Sequence, residues 1–331
     1  MNDAAPLTPV EPLPPPPPSA LRKTFIGKDG LRAGWSLLIF LILLGTVLFC
    51  AGGIINKLRP QVLKSSNPET PARALILESS IFLATLLVAW IMSKIERRSN
   101  WVYGLGGRRK LGHLLAGLAW GVACLSLLVL VLWKAGLLLI DSRLLFGGQI
   151  FRYGTIWLFA FLVVGLNEEY LTRGYLQYTL TRGLAGFCQW AFKTRHSKVL
   201  GFWTSAVILS ILFSLGHKSN PGESPIGLLS AGLVGLVFCF SLWRTGSLWW
   251  AIGFHASWDW AESFLYGVSD SGLMVQHHLL ATHPAGKPVL SGGTTGPEGS
   301  MYAIATLALA SLIIGFTLPR AHDAAAERSR I

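Results

Sequence analysis

The sequence predicts an all-helical fold, a polytopic membrane bundle of about eight transmembrane helices. Two observations carry that prediction. Of the 331 residues, 52% are hydrophobic and only 13% are charged, whereas a soluble domain carries about 25% charged residues. The apolar residues also come in runs of about twenty, and a helix of that length rises roughly 30 Å, the thickness of a hydrocarbon core.

The elements follow in order. Residues 1–32 form a tail with Pro6, Pro9, Pro12 and an unbroken run from Pro14 to Pro18, a composition that favours extended polyproline geometry and builds no core. We expect a disordered cytoplasmic tail. The first apolar run, 33–55, contains no Asp, Glu, Lys or Arg; it is too long for a signal-peptide core and is expected to remain as an anchor. Further spans are expected at about 72–93, 111–133, 154–177, 199–217, 226–243, 247–265 and 300–319, so that 33–320 is the bundle and 321–331 a second cytoplasmic tail. The segment 183–198, with Trp190 and Phe192 among Lys193, Arg195 and Lys198, reads either as an interfacial piece at the inner surface or as a connecting loop. No repeat of 20–50 residues is present, which excludes solenoids and propellers.

The formal net charge is +12, from 28 Lys and Arg against 16 Asp and Glu. Most basic residues flank apolar runs instead of forming one basic domain, so the partner they imply is the lipid bilayer, and nucleic acid is excluded. Alternating the loops gives a two-to-one excess of Lys and Arg on the side of the termini, which predicts both termini inside. Cys50, Cys124, Cys188 and Cys239 stand singly without a CxxC pair. They read as small hydrophobes, not as disulfides or zinc ligands.

Function is indicated by residues that do not belong in a bilayer, where a charged side chain costs roughly 2.5–3.5 kcal/mol at mid-depth. They concentrate in three places: Asn167, Glu168, Glu169 and Arg173; His217; and His255 with Asp259. Glu169 and Arg173 are four residues apart and share a helix face, where carboxylate and guanidinium pair. Glu168 lies about 100° around the helix and is left without a local cation, the setting of a general base for water. His255 and Asp259, again four apart, project from one face. Each group alone also has a structural reading: a helix-stabilising pair, an interfacial histidine, an interhelical hydrogen bond. Glu78 and Glu262 read as outer helix ends in reach of water, and His277, His278 and His283 as part of a solvated loop over 266–299.

Written as patterns, these places are Glu-Glu-x-x-x-Arg at 168–173, Phe-x-x-x-His at 213–217 and His-x-x-x-Asp at 255–259. In that order they resemble the signature of the CAAX-prenyl-protease and bacteriocin-processing (CPBP, or ABI) family of intramembrane endopeptidases, over roughly 150–266. The resemblance implies hydrolysis of peptide bonds in membrane-associated protein or peptide substrates, prenylated or leader-bearing. It implies Glu168 as the base, His217 as the residue that shares or relays its proton, and His255 with Asp259 at the oxyanion. Asp259 stands where the family more often has asparagine. An ionised Asp259 donates no hydrogen bond, so it must be protonated or act by orienting His255.

The family carries a metalloprotease label. Glu168, His217 and His255 are the residues able to ligate zinc, but there is no His-Glu-x-x-His, and metal-free catalysis is the preferred expectation, with no cofactor required. A non-enzymatic scaffold or immunity-type relative that keeps the fold is the alternative; a proton-relaying transporter would need paired broken helices or an inverted repeat, which the sequence lacks. One tension follows from helix rise. From the inner ends Glu168 lies about 21 Å and His217 about 27 Å deep, whereas His255 is only about 12 Å from Ser247. The three meet only if their helices start at different levels.

Overall fold

The computed structural model describes residues 24–27, 30–64 and 68–319. The Pro-rich stretch and the tail 321–331 lie outside the described residues. Helices α1 (Ala33–Leu58), α2 (Pro71–Ile95) and α3 (Lys110–Lys134) precede α4 (Gly148–Glu169), which runs through a π-helical turn, Tyr170–Leu176, into α5 (Gln177–Phe192). Then come α6 (Ser197–His217), α7 (Pro225–Thr245), α8 (Trp249–Trp260) and α9 (Met301–Thr317). A second π-helical turn, Ala261–Leu265, extends α8.

Local chemistry places the boundaries. Helix α2 starts on Thr70, whose side chain accepts from the Arg73 backbone N–H at 3.2 Å, with Pro71 in the first turn. Ser224 and Pro225 open α7 in the same way, and Gly246 closes it at φ +67°. These are the capping devices expected where four backbone donors or acceptors lack intrahelical partners.

Among the described residues, six stretches are long and apolar enough to cross a membrane: α1, α2, α3, the α4–α5 rod of 45 residues, α6 and α7. Large apolar side chains such as Phe49, Ile42, Leu212 and Phe316 lie on the outside, a surface suited to lipid and unfavourable in water. The protein is an integral membrane protein. Two expected spans differ from the prediction. The span at 154–177 is one part of the α4–α5 rod, so 183–192 is helix and not a plain connecting loop; only 193–196 connects it to α6. The turn at Lys193, in the left-handed region at φ 49°, ends the rod.

The span at 247–265 is short and enclosed. Trp250, Ala251, Ile252, Gly253 and Phe254 are each fully buried or nearly so, and the helix packs most extensively against α3. That approach rests on small residues. A Cβ at Gly117 would stand 2.8 Å from the Phe254 nitrogen, and one at Gly253 2.9 Å from the Leu118 nitrogen. Backbones this close gain dispersion contacts that larger residues forbid.

The same burial resolves the depth mismatch. Ser247 is 1% exposed, and the Leu248 N–H donates to the Gly104 carbonyl at 2.9 Å. Helix α8 therefore starts inside the protein, under the loop 99–109, so Ser247 does not mark the protein's surface as the count from it assumed.

The 266–299 segment is also more ordered than a solvated loop. Strand β1 (Leu138–Arg143) pairs antiparallel with β2 (Leu280–Pro284), with a bulge at Asp141. Asp141 Oδ2 meets His283 Nδ1 at 2.7 Å, His277 stacks on Tyr153, and His278 Nδ1 lies 2.6 Å from the Leu280 carbonyl. The three histidines thus have separate partners. Replacing Gly117 with Val should wedge α3 off α8 and destabilise the protein by about 1–3 kcal/mol or prevent folding, read as a lower melting temperature or loss of the monodisperse peak in detergent.

Candidate active site

The three groups singled out in the sequence converge on one cavity of about 560 Å³, lined among others by Glu168, His217, His255 and Asp259, with apolar walls from Trp157, Phe161, Leu212 and Phe238. Helix α4 delivers the glutamates, α6 the Phe213–His217 pair, and α8 the His255–Asp259 pair. The π-helical turn directly follows Glu169, and the second directly follows the last turn of α8. Such widened turns redirect side chains relative to a regular helix and recur at functional sites.

Glu168 and Glu169, adjacent in sequence, have different surroundings. Glu169 is fully buried, and its Oε1 takes two partners, Arg173 Nη1 at 2.9 Å and His255 Nδ1 at 3.0 Å. Glu168 keeps 30% of its side chain exposed to the cavity, with Oε2 3.7 Å from His255 Nε2. The latter nitrogen also lies 3.5 Å from Asp259 Oδ2. His255 therefore stands among three carboxylates, and a proton on either ring nitrogen has an acceptor. Phe238 stacks against the ring at 5.4 Å.

Arg173 is 2% exposed and lies over the Phe213 ring at 4.2 Å and the Phe238 ring at 5.6 Å. Its planar guanidinium does two things that an ammonium cannot do together: it pairs with Glu169 along an edge and stacks by its face. Phe213, the first residue of the Phe-x-x-x-His pattern, thus supports Arg173 as well as the His217 ring, which is 4.8 Å from it. His217 Nδ1 lies 2.9 Å from the Phe213 carbonyl. With Nδ1 as the donor there, Nε2 carries the lone pair. His217 shares the cavity wall with Glu168 but makes no direct hydrogen bond to it among the described residues.

Glu168, His217 and His255 do not gather as a metal site. Among the described residues, three acidic or imidazole ligand atoms lie within 4.8 Å of one another at Glu262, Asp270 and Glu298, and not at these positions.

Sequence reasoning missed several members of the cavity. Glu78, two turns into α2, lines it and accepts from Asn167 Nδ2 at 3.0 Å; the available signal was a carboxylate inside an otherwise apolar run. Asn220, Glu298 and Asp270 also line it, and nothing in their local sequence marks them. Glu262 does not reach water: it is fully buried. Across the cavity mouth Glu69 forms an ion pair with Arg73, and its backbone bonds with Met274 and Gln276 to tie the start of α2 to the 266–299 segment. Burial pushes the Glu69 carboxyl above its ordinary value, with Arg73 opposing.

Residues 149–261 match the family model of the type II CAAX prenyl endopeptidase Rce1-like proteins. This segment, about a third of the chain, is similar to the Rce1-like family, in agreement with the family that the three motifs resemble. It supports a CAAX-type peptidase at the level of the family. No curated protein and no solved structure matched the chain.

Truncating Arg173 to Ala should leave Glu169 as an uncompensated buried charge and cost about 3–5 kcal/mol. Arg173→Lys should recover little of it, because Lys loses the stacked plane. Thermal unfolding of the two variants in detergent checks both, and equal stability of Arg173→Lys and the unaltered protein would refute the stacking argument.

Proposed function

We propose that the protein is an intramembrane endopeptidase that hydrolyses peptide bonds of membrane-anchored proteins or peptides without a bound metal. The observation that carries this reading is the position of Glu168, His217, His255 and Asp259 on the wall of a single cavity. Its volume lies within the roughly 300–1,000 Å³ typical of ligand sites.

Glu168 is the general base. Its carboxylate reaches the cavity, has no Lys or Arg partner among the described residues, and takes a proton from water as the water oxygen attacks the scissile carbonyl carbon. His217, through the lone pair on Nε2, positions that water and relays the proton, which ends on the departing amine nitrogen as the C–N bond breaks. His255 donates through Nε2–H to the developing oxyanion. Glu169 and Arg173 are positioning residues: Glu169 fixes the imidazole through Nδ1, and Arg173 holds Glu169 in place. Asp259 acts by orienting His255, which fits the 3.5 Å approach of its Oδ2 to Nε2 and removes the need for Asp259 to donate a bond itself. A donor fixed in advance and sheltered from water stabilises a developing charge more than one that must reorganise.

The substrates are membrane-associated chains, because the cavity opens within a helix bundle surrounded by lipid. Both termini face the cytoplasm, on the two-to-one excess of Lys and Arg on that side. The test is cleavage in liposomes of a panel holding prenylated C-terminal peptides and leader-bearing membrane peptides. Glu168→Gln and His217→Ala should each lower kcat/KM by about 10²–10⁴-fold at unchanged melting temperature. Cleavage that survives both substitutions would overturn the assignment.

A further inference from the structure

Beyond the proposed hydrolysis, we propose that Glu262, Asp270 and Glu298 form a site for a divalent cation, calcium by its ligand chemistry, that pins the 266–299 segment to the end of α8. The three carboxylates come from three places: the π-helical turn after α8, the loop that follows it, and the turn just before α9. One oxygen of each lies within 4.8 Å of the others. Oxygens this close can share one ion; a set of three protein carboxylates suits calcium, at about 2.4 Å, whereas magnesium keeps several waters and is held through one or two carboxylates. The donors are all oxygen, as a hard cation requires.

A second observation, separate from the clustering, points to a ligand. Glu262 is fully buried, and neither of its carboxylate oxygens has a well-formed hydrogen bond; the nearest donor is the Glu298 backbone N–H, which brings no net charge. Buried polar atoms are nearly always satisfied, and a buried carboxylate without a partner is costly. Among the described residues none of the three acids pairs with Lys, Arg or His. Glu298 is held in place instead: its Oε1 accepts from both the backbone N–H and the hydroxyl of Ser271 at 2.6 Å. Ser263 Oγ lies 3.5 Å from Asp270 Oδ2. These neighbours fix the two outer acids, but they bring no positive charge. Gly296 lies against the cluster, where a Cβ would stand 3.1 Å from Glu262 Oε1, so the absence of a side chain there keeps the space beside that carboxylate open.

A cation bound here would neutralise three mutually repelling groups and join the base of α8, which carries His255 and Asp259, to the segment that roofs the cavity. The competing arrangement is a set of shared protons. The full-length protein in a neutral detergent separates the two through its melting temperature with calcium chloride or with EGTA, and through terbium luminescence. Calcium at about a hundredfold excess over its Kd should raise the melting temperature by roughly 5 °C, and terbium should bind and be displaced by calcium. Asp270→Asn and Glu298→Gln should each lose both responses, which keeps the test open if Glu262→Gln fails to fold. Glu168→Gln should keep both, so the outcome does not depend on the catalytic reading. No calcium response, with a melting temperature that rises on acidification, would assign the cluster to protons and overturn the proposal. A calcium response retained in Asp270→Asn would place the ion elsewhere and overturn it as well.

Discussion

One oxygen of Glu169 holds the centre of this protein together. It accepts from Arg173 on its own helix and from His255 on α8, within a bundle that has little water to offer. A carboxylate so placed survives only when its partners are fixed, and each partner is fixed in turn: Arg173 by the Phe213 and Phe238 rings, His255 by Phe238 stacking and by Asp259. The cost of a buried ion without its counter-ion exceeds the cost of most packing defects, so the relative positions of α4, α6, α7 and α8 follow from this one junction.

The apolar packing around the junction answers a different demand. Helix α8 carries catalytic candidates yet presents almost no surface, and it can be so enclosed because glycines on α3 and on α8 itself let the backbones meet. The close fit restrains the imidazole from below while the cavity stays open above. Glu168, one residue from Glu169, turns the other way and keeps contact with that opening. Adjacent carboxylates thus take separate surroundings through the 100° offset between neighbouring helical residues: one is sealed and paired, the other accessible from the cavity.

The roof of the cavity is built from distant parts of the chain. Glu69 at the start of α2 bonds to the backbone around Met274 and Gln276, and the β1–β2 ladder joins the end of α3 to the 280s. The acids at 262, 270 and 298 lie where this roof meets the end of α8. A cation at that point would couple the order of the roof to the helix below it, whereas the membrane-spanning rods themselves need no such bond.

Much of this architecture was legible in the sequence. Long runs free of charge set the membrane bundle, and the spacing of four between Glu169 and Arg173, and between His255 and Asp259, placed each pair on one face, because helical geometry is local. The intramembrane ionisable residues at 168, 217, 255 and 259 stood out for the same reason: their cost in lipid is a property of the residue and the run around it. What tertiary structure alone decided depends on contacts between distant segments. The continuation of α4 through a π turn to Phe192, the buried start of α8 under the loop at 99–109, and the enrolment of Glu78, Asn220, Asp270 and Glu298 in the cavity arise where other helices replace water or lipid. The division of roles between Glu168 and Glu169 was half-visible as an angle. Only the packing of α8 against α4 determined which of the two is sealed against His255 Nδ1 and which keeps contact with the cavity, since a helix wheel records directions and not what lies along them.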